Sequence, residues 1–196
     1  MPRLFLLLPL FLIAACSSND SQPRQSVAAT AAAATSPTDT SWLPAFRAFR
    51  DAVYRHDKTA ARAFVPLPMD TVENDVWYVA ELEKATATGI NGARPFTAAH
   101  FDRYFDQLFA PGFIKTLLKV KSDTLYRSGR YETPFITEGD TRYRMYTRVE
   151  DNILLLNLYS ESVTEAEEEV TTEFSVLYYF DIQGNRLQLR RIRVAG

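Results

Sequence analysis

From Thr141 to Val194 the hydrophobicity of the chain alternates with a period of two, and this limits the second half to a sheet with one covered face. In "DTRYRMYTRVE", Tyr143, Met145, Thr147 and Val149 alternate with Arg142, Arg144, Tyr146 and Arg148. "EDN" then turns the chain into "ILLLNLYS", a second strand. After the acidic loop "ESVTEAEEE", the run "VTTEFSVLYYFDI" puts Thr172, Phe174, Val176, Tyr178 and Phe180 on one face, and "QGN" predicts a hairpin into "RLQLRRIRVAG". In that last strand Leu187 and Leu189 have one parity and Ile192 and Val194 the other. A one-residue β-bulge at Arg190-Arg191 brings all four to the same face.

The first half has a different period. "LPAFRAFRDAVYRHDKTAARAFV" places Phe46, Phe49, Val53, Ala60 and Phe64 near one helical face, which predicts a single amphipathic helix ended by the prolines of "FVPLPM". "DTVENDVWYVAELEKA" suits a helix through Val76, Val79 and Leu82, although its Val-Trp-Tyr-Val core also suits a strand. "GINGARP" is a loop. Thr97 then caps "AAHFDRYFDQLF", whose stripe is Phe101, Tyr104, Phe105, Leu108 and Phe109, and Pro111 opens "PGFIKTLLKV". Helices followed by hairpin-linked strands predict an α+β domain, with N-terminal helices packed on a curved antiparallel sheet of four or more strands.

The amino terminus makes a separate statement. Arg3 precedes an apolar run from Leu4 to Ala15, far shorter than the ~20 residues that span a bilayer, so this is a secretory signal. It stops at the only cysteine of the chain. Ile13-Ala14-Ala15-Cys16 resembles the lipobox of bacterial lipoproteins. The resemblance implies cleavage before Cys16, a diacylglyceryl thioether on its sulfur and acylation of the new amino terminus. Two or more acyl chains suffice for stable anchoring. In a Gram-negative cell, Ser17 favours transfer to the outer membrane.

Three segments follow: a signal peptide over residues 1–15, a lipidated cysteine and disordered tether over 16–41, and one folded domain over 42–196. The tether, with "SVAATAAAATSPTDTS", has no large apolar side chain with which to offset the entropy of ordering it. From Trp42 onward the chain is long enough to bury a core without disulfides. With 22 basic and 24 acidic residues, net charge gives no case for nucleic-acid binding. Only two histidines are present, so a histidine-rich metal site is excluded by count, and no cofactor motif is found.

Taken together, "FRAFRDAVYRHDKTAARAFVPLP", the helices after it and the meander from Tyr143 to Val194 resemble the cone-shaped, cystatin-like fold of the nuclear transport factor two-like and ketosteroid-isomerase-like superfamily. The resemblance covers most of residues 42–196 and implies a sheet curled around a pocket. In the isomerase-like enzymes a pocket carboxylate moves a proton, but no fingerprint here assigns that role to a numbered residue.

Two sets of side chains remain as candidates. His100, Asp102, Tyr104 and Asp106 lie on one helix, where His100 and Tyr104 share a face and Asp102 and Asp106 share another. The first pair can act as acid and base only if it points into a pocket. The arginine-rich strands offer Arg144, Arg190 and Arg191, with Tyr146, for recognising a carboxylate or phosphate, unless neighbouring glutamates pair with them as ordinary surface ions. The expected partners are the membrane, through Cys16, and a small ligand or an envelope protein. The favoured expectation is a lipid-anchored, non-enzymatic binding or interaction module of the cell envelope. The alternative is an acid/base enzyme acting on a small hydrophobic substrate.

Overall fold

The computed structural model describes residues 41–81, 94–163 and 170–196. The chain divides into two units, Met1–Ser36 and Pro37–Gly196, and the described residues belong to the second. The signal peptide, Cys16, nearly all of the tether, most of "GINGARP" and the acidic run 164–169 lie outside the described residues.

The expected first helix is two helices, α1 at Leu43–Tyr54 and α2 at Lys58–Arg62. Between them His56 takes a left-handed φ of 53°. The His56 amide donates to the carbonyl of Val53 (3.1 Å) and the Asp57 amide to that of Ala52 (2.9 Å), the two bonds of a Schellman helix end. Asp57 then caps α2 by accepting from the Ala60 amide at 2.9 Å. The break changes which alanine is buried: Phe46, Phe49 and Val53 are buried as expected, but Ala61 takes the core position and Ala60 is exposed.

Next come α3 at Val76–Ala80 and α4 at Ala98–Leu108. α3 has only five residues, and its expected continuation past Glu81 lies outside the described residues. α5 spans Pro111–Lys119, with proline in its first turn as predicted. The sequence reading passes over α6 at Ser122–Ser128, which stops at Gly129 with φ of 70°. Pairing among the loops includes an isolated bridge between Met69 and Phe96.

Six antiparallel strands form a curved, unclosed sheet, giving the expected α+β class. They are β1 at Arg130–Glu132, β2 at Ile136–Glu138, β3 at Thr141–Glu150, β4 at Ile153–Val163, β5 at Val170–Gln183 and β6 at Arg186–Ala195, in the order β1-β3-β4-β5-β6, with β2 also on β3. Asp151 and Asn152 both adopt positive φ, the demand of a two-residue type I′ hairpin, and Asn and Asp tolerate it best after glycine. The bulge falls where the parity break puts it: Tyr179 pairs with Arg191 and Phe180 with Leu189, leaving Arg190 as the extra residue. Leu187, Leu189 and Ile192 are therefore buried together, and Val194 packs on the core.

The inner face meets the helices through aromatic rings. Phe49 touches Phe109 (5.7 Å between centroids), Phe180 (4.9 Å) and Phe64 (5.5 Å), while Phe113 lies 4.5 Å from Tyr178. The Tyr178 hydroxyl donates to the carbonyl of Leu108 at 2.7 Å, so this deep phenol is satisfied. Its burial pushes the Tyr178 phenol above its usual range. The core and the side chains packed on it run from Trp42 to Val194, so the Pro37–Gly196 unit contains what its own folding buries.

At the outer edge, β6 is bonded to the segment that joins α2 to α3. The Leu189 amide donates to the carbonyl of Phe64 (2.7 Å), the Ile192 amide to Asn74 Oδ1 (3.1 Å) and the Val194 amide to Asp75 Oδ2 (2.9 Å). The Asp75 amide returns a bond to the carbonyl of Ile192 at 2.8 Å.

Candidate functional site

The acid/base candidates on α4 are each committed to a structural partner. His100 is the third helical residue, and its Nδ1 accepts from the Thr97 amide at 3.1 Å, closing a capping box that the sequence reading assigned to Thr97 alone. The other side of its ring packs on Trp77, 4.7 Å between centroids. Tyr104 also lies against Trp77 and donates its hydroxyl to Glu81 Oε1 at 2.7 Å. That bond to a carboxylate, with burial, raises the Tyr104 phenol above its usual range. Asp102 takes both of its oxygens to Arg62 at 2.5 Å, and its backbone carbonyl accepts from Lys58. Asp106 pairs with His56 at 3.1 Å on the surface. The spacing rule separates these residues into two faces, and among the described residues His100 and Tyr104 meet Trp77, whereas Asp102 and Asp106 meet Arg62 and His56.

Among the described residues, aromatic rings pack where the helices meet the sheet. Phe49, Phe109, Phe113 and Phe180 are 0–1% exposed and Tyr178 2%, and they interlock across the helix–sheet interface. Two residues that sequence reasoning missed, Glu81 and Arg94, join Tyr104 and Trp77 in a small polar cluster beside it. Arg94 pairs with Glu81 at 3.0 Å and lays its guanidinium 3.7 Å from the Trp77 ring centre, while the Trp77 indole N–H donates to the Arg94 carbonyl. No spacing signal in the sequence joins Glu81 to Arg94, which stand thirteen positions apart.

The strand arginines fall on the outer face of the sheet, along its two sides. On β3, Arg142 donates to Glu161, Arg144 pairs with Glu132, and Arg148 pairs with Glu150 at 2.5 Å. On β6, Arg193 meets Asp75 at 3.2 Å, Arg190 meets Asp181 at 3.7 Å and Arg191 meets Glu73 at 3.9 Å. Surface pairs of this kind contribute about 0–1 kcal/mol each. Glu161 is the exception to surface exposure: only 5% exposed, it also accepts from the Tyr159 hydroxyl at 2.8 Å. Burial and that bond raise the Tyr159 phenol. Sequence reading had put Glu161 in the acidic loop, whereas it lies in register between Arg142 and Glu173.

The four binding candidates separate into two places. Arg144 and Tyr146 stay on β3, where the Arg144 guanidinium stacks 3.9 Å from the Phe135 ring centre and Tyr146 is 36% exposed. Arg190 and Arg191 line a groove of about 460 Å³ between the bulge and the loop that carries Pro66, Asp70 and Glu73, with Asp181 at its side. Both arginines hold their acidic partners at long range there, and Arg191 Nε is buried without a hydrogen-bond partner. The Arg191 guanidinium rests 4.8 Å from the Tyr179 ring centre. A second groove, of about 640 Å³, lies between α5 and the approach to β2.

Among the described residues no helix is long and apolar enough to cross a membrane. No protein-family model, curated protein or solved structure matches the chain.

Proposed function

We propose that the chain is a lipid-anchored protein of the cell envelope whose folded unit binds a ligand without transforming it, and that the ligand occupies the groove at the β6 bulge. The observation that carries this reading is the interlocked aromatic interior. An acid/base enzyme for a small hydrophobic substrate needs an enclosed space with a base facing it, and Phe109, Phe113 and Tyr178 occupy that space. The groove, by contrast, presents two arginines whose carboxylate partners stand 3.7 and 3.9 Å away, close to the limit of an ion pair.

The lining carries both signs, Arg190 and Arg191 with Asp70, Glu73 and Asp181. A ligand bearing both charges matches such a lining, since it can exchange each weak internal pair for a shorter external one. Alanyl-alanine, a small zwitterion, is the probe. In an NMR titration of Pro37–Gly196 it shifts the amides of Asp70, Glu73, Arg190 and Arg191 in a saturable way. Arg191→Ala weakens that binding about tenfold, the effect of about 1.4 kcal/mol, while the remaining amide spectrum stays folded. Shifts confined to other surfaces, or an unchanged affinity in the variant, sink the assignment.

A further inference from the structure

The groove between α5 and β2 differs in chemistry from the one at the bulge. α5 buries Phe113, Ile114, Thr116 and Leu117 and turns Lys115, Leu118 and Lys119 outward. Leu118 is 40% exposed on the face where an amphipathic helix carries polar residues. Across from it, Pro134, Phe135 and Ile136 supply an apolar floor, with Phe135 and Ile136 half-buried. The cavity of about 640 Å³ falls in the range of single-ligand sites, about 300–1,000 Å³.

Positive charge surrounds this floor. Lys115 and Lys119 stand on its rim, and the Arg142 and Arg144 guanidiniums lie 4.8 and 3.9 Å from the centre of the Phe135 ring. Lys115 pairs with Glu138, Arg142 with Glu161 and Arg144 with Glu132, but Lys119 makes no ion pair among the described residues. An apolar trough with an uncommitted ammonium at its lip matches a molecule that is apolar along its length and anionic at one end.

We propose that this groove binds a long-chain fatty-acid carboxylate, with the acyl chain along Leu118, Pro134, Phe135 and Ile136 and the head group on Lys119. Each methylene that leaves water contributes ~0.8 kcal/mol, and the carboxylate orients the chain through a charge-assisted bond to the ammonium. The inference is independent of the zwitterion site, because the two grooves share no lining residue.

The probe is dodecanoate, held below its micelle concentration and titrated into Pro37–Gly196 with amide shifts recorded. Saturable shifts at residues 115–119 and 134–136 are expected. Lys119→Glu is expected to weaken binding by at least about fivefold, the effect of one exposed ion pair and its reversal. Leu118→Asp is expected to abolish it, with the amide spectrum away from the groove checking that the variant is folded. Dodecyltrimethylammonium, of equal chain length and opposite charge, binds more weakly than dodecanoate. Equal binding of the two amphiphiles, or shifts that avoid this groove, overturns the proposal. Binding to vesicles of anionic phospholipid with no response to monomeric dodecanoate also overturns it, and makes the surface a membrane contact instead.

Discussion

At residue scale a close approach falls at Gly112, on the buried side of α5. A β-carbon there lies 2.8 Å from Cδ1 and 2.9 Å from Cε1 of Tyr143 on β3. Elsewhere in a helix, alanine in place of glycine gains about 1 kcal/mol. Here the ring must move, and overpacking of that kind costs about 1–3 kcal/mol. Gly112→Ala is therefore expected to lower stability by about 1 kcal/mol net, measured as the urea midpoint at unchanged slope. Adding Tyr143→Ser removes the obstructing ring, so Gly112→Ala made in that background is expected to be stabilising. If alanine destabilises both backgrounds equally, the Tyr143 contact is not the cause. Nothing at residue scale in the sequence announces this contact. Gly112 follows the proline that opens the expected helix "PGFIKTLLKV", and only the packing of α5 on β3 brings Tyr143 over it.

Among the elements, β6 was the most legible, whereas α6 and the end of α1 were hidden. The parity change between Leu189 and Ile192 is local, and a sheet with one covered face permits only one repair, so the bulge followed from the strand's own pattern. The break after Tyr54 has no such mark. Schellman ends usually carry glycine at the left-handed position, and here it is His56, so a helical period that continues into "KTAARAF" hides the stop. The acid/base residues were sorted correctly into faces by helical spacing, but what each face meets depends on Arg62, Glu81 and Trp77, which are remote in sequence. A prediction follows for the bulge itself. Deleting Arg190 leaves an unbroken alternation, with Leu187 and Leu189 inward, Arg191 outward and Ile192 inward, so a cooperative fold is expected to survive. Deleting Gln188 instead makes Leu187 and Leu189 neighbours, so either Leu187 leaves the core with the bulge kept, or the bulge is lost and Arg190 turns inward as an unpaired buried charge, and each costs several kcal/mol. Denaturant midpoints of the two deletions test this, and the idea fails if Arg190 deletion proves the more damaging.

On the scale of the whole molecule, the proposed anchor and the folded unit have separate tasks, and they can be tested separately. Cys16→Ser removes the sulfur that the lipobox resemblance assigns to the diacylglyceryl group. The variant is expected to lose the protein's partition into the detergent phase of a cloud-point extraction, while Pro37–Gly196 keeps its amide spectrum. Retention of membrane partition in Cys16→Ser contradicts the anchor. The alternation of the strands and the period of the helices made the α+β layout legible because both record which side of an element is buried. The grooves were only half legible, since they form where a loop or a helix surface passes a strand, and no single element's pattern encodes that meeting. One such meeting has a further result. With Phe64, Asn74 and Asp75 already bonded to the amides of Leu189, Ile192 and Val194, the β6 edge of the sheet offers an incoming chain few free donors. Strand addition by a second copy, the step from which fibrils nucleate, therefore meets an occupied template along β6.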